Sequence, residues 1–185
     1  MEKKPLSFWQ MFNLNFGFLG IQFGWGLQMA NMSGIYKFLG ANTSDLAVLW
    51  LAAPVTGILI QPILGQFSDQ TWLRSLGRRR PYILIGAICA TLALILMPHA
   101  TSIWVAALLL WLLDGSVNAA MQPYRALVAD VAPENQHTKA FAIQTVLVGI
   151  GATLATALPW IFLNVFHMSN QTTPGQVPFT IALSF

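Results

Sequence analysis

Asp114 stands near the middle of an apolar stretch, and Asn118, Gln122 and Arg125 follow it at steps of four, four and three. At 100° per residue these four fall within about 80° of one another on a helix. Asp130 comes about four and a half turns after Asp114, near the opposite face, and is expected to play a structural part at the membrane edge. A charge at mid-bilayer costs roughly 2.5–3.5 kcal/mol even on a lenient insertion scale, so Asp114 is expected to face a wet cavity or a partner. Low dielectric favours the neutral form of a carboxyl, which makes proton uptake feasible. Arginine stays charged and offers a fork of N–H donors to hydroxyls or to a carboxylate. The pattern has two readings. Asp114, Asn118 and Arg125 line a pathway that couples a proton to a polar solute, or Asp114 is a structural hydrogen-bonding group between helices.

Other residues could share such a pathway. Gln22 and Gln28 are polar residues inside a span. Trp25 and Trp111 lie away from span ends, where a flat aromatic face suits the apolar face of a sugar ring, although packing is the commoner use of such residues. His99 and His167 fall at span ends and read as interfacial, while His137 falls in a loop.

A second cluster has a different chemistry. Gly65-Gln66-Phe67-Ser68-Asp69 is followed, after a short gap, by Gly77-Arg78-Arg79-Arg80-Pro81. Asp69 puts a carboxylate at a membrane edge, within reach of the guanidiniums of Arg78, Arg79 and Arg80. Such a cluster can hold a helix end, because carboxylates are attracted to helix N-termini and arginines to carboxylates. The expected role is a gate latch of Asp69 with Arg78 and Arg79. Simple charge bias around a membrane would explain the arginines, but not Gly65, Asp69 and Gly77 beside them.

The elements that must position these residues are membrane helices. Hydrophobic residues make up 56% of the 185 residues and charged residues only 8%, where a soluble surface needs about a quarter. A spanning helix needs about 20 apolar residues. The stretches 11–32, 46–65, 81–98, 103–129 and 140–163 qualify, the fourth running on past Pro123. The apolar segment 178–185 reads as the start of a sixth span, cut short. The first stretch is too long for a signal peptide and lacks a small-residue cleavage pattern. Within the spans, Gly20 with Gly24, and Gly149 with Thr153 and Ala157, are spaced for close helix packing.

Basic residues orient the chain. Lys3, Lys4, Arg74, Arg78, Arg79, Arg80 and Lys139 fall on one side and Lys37 alone on the other. The N-terminus is therefore expected in the cytoplasm, and the cell (inner) membrane is the expected location. Trp104 and Trp160 then mark the outer interface, and Trp9 and Trp72 the inner one. The basic residues are scattered between apolar stretches, which argues against nucleic acid as a partner. The single cysteine, Cys89, forms no internal disulfide. No G-x-x-x-x-G-K-[ST] segment suggests a nucleotide-driven pump, and no H-E-x-x-H suggests a membrane-embedded enzyme. No cofactor, metal or catalytic residue is expected.

The loop with Asp69 and Arg78-Arg79-Arg80 is similar to the signature loop between spans two and three of the major facilitator superfamily. Its extended form resembles the glycoside-pentoside-hexuronide branch, especially the sucrose–proton symporters. Ile21-Gln22-Phe23-Gly24-Trp25, Leu27-Gln28 and Gln61-Pro62 agree. So does Asp114…Asn118…Gln122-Pro123-Tyr124-Arg125-Ala126-Leu127…Asp130, whose matching Asp and Arg are implicated in transport. The resemblance runs from about residue 22 to 133. Gln70 stands where the family often has Arg or Lys, and the stretch 41–44 lacks the His that plant sucrose carriers commonly show.

The resemblance implies an all-α integral membrane fold: the N-terminal six-helix half of a carrier whose two halves rock around a central site, with the sixth helix truncated. It implies proton-coupled transport of a glycoside, sucrose- or maltose-like. The implied partners are that sugar, protons, the lipid bilayer and a missing C-terminal half. A sodium-coupled or uncoupled carrier, a non-transporting sugar sensor and an inactive fragment remain open.

Overall fold

The computed structural model describes residues 4–72, 74 and 77–167, the side chains of residues 43 and 44 excepted. All regular elements among them are helical: α1 (Phe8–Phe38), α2 (Thr43–Leu49), α3 (Ala52–Gln70), α4 (Arg80–Leu96), α5 (Ile103–Val131) and α6 (His137–Asn164). Short 3-10 turns, Met97–His99 and Glu134–Gln136, lead out of α4 and into α6. The expected sixth span at 178–185 lies outside the described residues.

Local signals set the helix ends. Ser7 caps α1 in a reciprocal box: its Oγ accepts from Gln10 N–H at 3.3 Å, and Gln10 Oε1 accepts from Ser7 N–H at 2.8 Å. At the other end Gly40 takes φ +91, with bonds from Gly40 N to Lys37 O and from Ala41 N to Tyr36 O. This left-handed cap satisfies the last carbonyls. These caps carry α1 six residues past the expected 11–32 at one end and three at the other. Ser102 caps α5, and Pro81 sits in the first turn of α4. The expected span 46–65 is broken: α2 ends at Leu49 and α3 begins at Ala52. Pro54 explains this, because it lacks an N–H and its ring clashes with the carbonyl four residues back, that of Trp50.

Four stretches are long and apolar enough to cross a membrane: Asp45–Gln70, Arg80–His99, Ile103–Val131 and Glu134–Asn164. The 31-residue α1 has ample length but is less apolar, because Asn13, Asn15, Gln22, Gln28 and Asn31 interrupt it. Asn15, Gln28 and Asn31 are buried against the other helices, out of reach of lipid. The outward faces of α3, α4 and α5 instead present large apolar side chains such as Ile58, Ile85 and Leu108. That is the pattern of a chain dissolved in a bilayer.

Without a hydrophobic drive between helices in lipid, close backbone approach holds them together. α1 meets α6 where a Cβ on Gly151 would lie 2.5 Å from Leu19 O, and one on Gly26 2.7 Å from Ala155 Cβ. α4 meets α5 where a Cβ on Gly86 would lie 2.7 Å from Ser116 O. The expected packing stripe Gly149, Thr153 and Ala157 is on the wrong face. Gly149 looks onto open space and Thr153 is exposed. Gly151 and Ala155 are two residues out of phase, about 200° round the helix. Because its neighbour is backbone, Gly151→Ala should destabilise the bundle by about 1–3 kcal/mol, whereas Gly149→Ala should cost nothing measurable. Thermal melts of both variants in detergent check this, and equal melting would refute the assignment of the contact.

Candidate functional site

Four helices enclose a cavity of ≈ 530 Å³. α1 contributes Phe18, Gln22 and Trp25, and α3 contributes Ala53, Pro54, Gly57 and Gln61. α5 contributes Val117, Asn118, Met121 and Arg125, and α6 contributes Val148. An amide ladder braces the α3–α5 wall. Gln122 Nε2 donates to Gln61 Oε1 at 2.7 Å, and Gln61 Nε2 donates to Asn118 Oδ1. Asn118 Nδ2 donates to the Asp114 carbonyl at 2.9 Å and to Thr56 Oγ1 at 3.3 Å. The ladder satisfies its own members and fixes their rotamers, so the wall is preorganised. Gly57 leaves room beside Gln61 and Asn118: a Cβ there would sit 3.8 and 3.9 Å from their amide atoms. Arg125 reaches the cavity with no carboxylate partner among the described residues, so its fork of donors is available.

Tyr124 holds Arg125 in place. The Tyr124 hydroxyl accepts from Gly17 N–H at 3.0 Å and donates to Leu14 O at 2.8 Å, and its ring stacks on Phe18 at 4.4 Å. A side chain at Gly17 would collide with the ring, so the contact depends on that glycine.

Asp114 sits outside the cavity. It is 1% exposed, and its Oδ1 accepts from Gln28 Nε2 of α1 at 2.8 Å. Trp111, also expected in the pathway, is 42% exposed and does not line the cavity. Of the six residues read from the sequence as a pathway, Gln22, Trp25, Asn118 and Arg125 come together. Asp114 joins them only through Asn118.

The second cluster forms where α3 ends and α4 begins. Arg79 Nη1 pairs with Asp69 Oδ1 at 2.6 Å, and Arg79 Nε pairs with Asp130 Oδ2 at 2.6 Å. Nη1 also reaches Ser68 Oγ at 3.4 Å, and that hydroxyl donates to Gly65 O at 2.9 Å. Gly77 turns the chain with φ +78, a conformation that disfavours any side chain. Partial burial works to lower the Arg79 guanidinium, but the hydrogen bonds and charges of Asp130 and Asp69 outweigh it and push it above its ordinary value. A single arginine therefore makes the latch, tying α3 and α4 to α5. Arg78 and Arg80 are exposed and join no ion pair among the described residues, because the turn at Gly77 aims only Arg79 inward.

Residues 35–185 match the model of the family described as MFS/sugar transport protein. The chain belongs to that family. It is 31% identical over 157 residues to sucrose transport protein SUC3 of Arabidopsis thaliana, covering 73% of this chain and 26% of that protein. To sucrose transport protein SUC4 of the same plant it is 34% identical over 137 residues, or 65% and 27% of the two chains. To the general alpha-glucoside permease of Schizosaccharomyces pombe it is 31% identical over 176 residues, or 86% and 32%. The matched region thus spans about a third or less of each relative's length. These relatives are transporters, not enzymes, and this member of the MFS/sugar transport family is an all-helical integral membrane protein.

Within this MFS/sugar transport chain, sequence reasoning missed one cavity residue. Gln61 entered only as part of a Gln61-Pro62 pair, yet it is the centre of the amide ladder. The available signal was an amide side chain inside an otherwise uncharged span.

Proposed function

We propose that the chain forms the N-terminal half of a proton-coupled carrier for a glycoside, sucrose- or maltose-like, working with a second half. The cavity supports this reading most directly. Gln22, Gln61, Asn118 and Arg125 offer donors and acceptors suited to ring hydroxyls, and Trp25 offers a flat apolar face. The names of the relatives agree with a sugar as the solute. Asp114 is read as the proton-coupling carboxyl. When protonated it removes the cost of a bare carboxylate while the cavity changes sides. The Asn118 bridge between Asp114 and the amide ladder is the path by which its charge state can influence the sugar wall. The test is uptake of labelled disaccharide into vesicles containing the two-halved carrier, with and without an imposed pH gradient. Uptake indifferent to the gradient would refute proton coupling, and no saturable uptake would refute the sugar.

We place the Arg79 latch on the cytoplasmic side of the cell membrane, with the N-terminus, because seven basic residues share that side. A cysteine at Arg78 in a Cys89→Ser background should label only from the cytoplasm; labelling from outside would invert the topology.

The latch reads as a gate and not as a sugar site. Exposed ion pairs contribute at most about 1 kcal/mol each, enough to bias two conformations without dominating folding. Asp69→Asn leaves Arg79 its Asp130 partner. Turnover should fall several-fold with sugar affinity unchanged. Equilibrium binding alongside initial rates checks this, and lost binding in a folded variant would count against a gate.

A further inference from the structure

Asp114 has a second polar neighbourhood that is separate from the cavity. Its Oδ2 is sealed and has no partner among the described residues. The same holds for Gln28 Oε1, both amide atoms of Asn31 and the Tyr36 hydroxyl. Gln28, Asn31 and Tyr36 are each 0–1% exposed. Asn31 stands about one turn beyond Gln28 on α1, and Tyr36 about a turn and a half beyond Asn31. A tyrosine on a helix leans back toward the N-terminus, here toward Asn31 and Asp114, and the Tyr36 hydroxyl lies within electrostatic reach of Asp114. Gln28 meets Asp114 directly. Farther along, Met32, Ile35 and Tyr36 pack with Ala106, Leu109 and Leu110 on the antiparallel α5. None of the four polar residues lines the cavity.

Each orphaned buried polar atom costs about 1–3 kcal/mol, and native structures keep few of them. Several on one flank of one helix require a common partner. That partner must donate to Asp114 and Gln28 and accept from Asn31 and Tyr36. Exchanging the oxygen and nitrogen of Asn31 changes nothing, since both are orphaned. A metal cation cannot accept an N–H, whereas water both donates and accepts.

We infer that Gln28, Asn31, Tyr36 and Asp114 enclose a short file of ordered water through which Asp114 gains and loses its proton, apart from the sugar cavity. This rests on the reading of Asp114 as the coupling carboxyl. Tyr36 is the titratable group that faces Asp114 from α1, and its neighbour Lys37 is exposed. On α3, α4 and α6 the charged or titratable residues Asp69, Arg80, His137 and Lys139 sit at the helix ends near the Arg79 latch. Arg125 and Asp130 lie about three turns or more away along α5. No fixed charge among these stands between Tyr36 and Asp114.

The test uses the two-halved carrier in vesicles. After a pH jump, infrared spectroscopy follows the carbonyl band of protonated Asp114, identified by its loss in Asp114→Asn. Asn31→Leu fills the file with hydrocarbon. Asn31→Ser removes the same amide but leaves a hydroxyl and room for another water. Protonation should slow about tenfold in Asn31→Leu, with sugar affinity unchanged, and recover in Asn31→Ser. Should Asn31→Leu fail to fold, Tyr36→Phe keeps the shape, removes only the hydroxyl and should also slow protonation. Equal rates in wild type and these variants would overturn the file, as would lost sugar binding in a folded Asn31→Leu protein. A shift of the band by Na⁺ at constant pH would make the occupant a cation. An Asp114→Asn carrier that still concentrates sugar defeats the coupling reading itself, whereas unaltered rates with coupling intact defeat only the water file.

Discussion

Asp114→Asn should abolish accumulation of sugar against its gradient while leaving downhill exchange. The substitution is close to isosteric, and its remaining oxygen can still accept from Gln28 Nε2, as Asp114 Oδ1 does at 2.8 Å. The α1–α5 brace therefore survives, and what is lost is the ability to change charge. A permanently neutral side chain mimics the protonated carrier, which can carry sugar across but cannot return its proton. Asp114→Leu makes a useful contrast. It strips the acceptor from Gln28, which is fully buried, and leaves an unsatisfied amide costing about 1–3 kcal/mol, so it should lower stability as well as transport. Labelled disaccharide in vesicles, with an imposed pH gradient and then in equilibrium exchange, separates the two effects. If the Asn carrier still concentrates sugar, Asp114 is only a structural brace.

The course of the chain was legible in its sequence where lipid dictates it. An uncharged stretch of sufficient length has few alternatives to a helix in a bilayer. The fourth stretch even runs through Pro123 to Val131, as expected. Hydropathy does not register caps, so the extra turns of α1, set by Ser7 with Gln10 and by Gly40, required reading for caps specifically. The break at Trp50 was written in Pro54, but a proline inside a span is so often tolerated that its consequence there depends on packing.

The site was partly legible for a similar reason. Periodicity correctly grouped Asn118 with Arg125 on one face of α5. It also put Asp114 on that face, yet a 40° offset per four residues leaves room for a neighbour to claim one member. Gln28 does so, drawing Asp114 behind α1 while Asn118 stays in the cavity. Which arginine of three would form the latch could not be read from composition. Gly77 with φ +78 and the placement of Asp130 on a separate helix select Arg79. Small-residue spacing likewise fails to say which face of a helix is close-packed: Gly149 and Gly151 look equally suitable until α1 is in place.

Arg125→Lys should cut kcat/KM for the sugar by roughly tenfold or more, since hydrogen bonds to a charged group are worth about 1.5–3 kcal/mol and lysine cannot reproduce the fork. Arg125 is suited to this test because it has no ion-pair partner among the described residues. Substitution there strands no carboxylate, unlike substitution of Arg79, which would release Asp69 and Asp130 together. Its backbone is held independently by Tyr124, through Gly17 N–H and Leu14 O, so the lysine should start from the same place on α5. Folding should therefore be unchanged, and the loss should appear as weaker sugar binding and slower uptake both with and without a pH gradient. That breadth distinguishes it from Asp114→Asn, whose defect is confined to uphill transport. The two substitutions act on groups about 16 Å apart along one helix, by its rise of 1.5 Å per residue. Direct pairing is excluded at that distance, so in the double variant the defects should be separable: weak binding from Arg125→Lys, absent accumulation from Asp114→Asn. Sugar binding by isothermal titration and initial uptake rates in vesicles provide the measurement. If Arg125→Lys binds and transports the sugar as well as the parent, the cavity does not use its only cation to hold the solute.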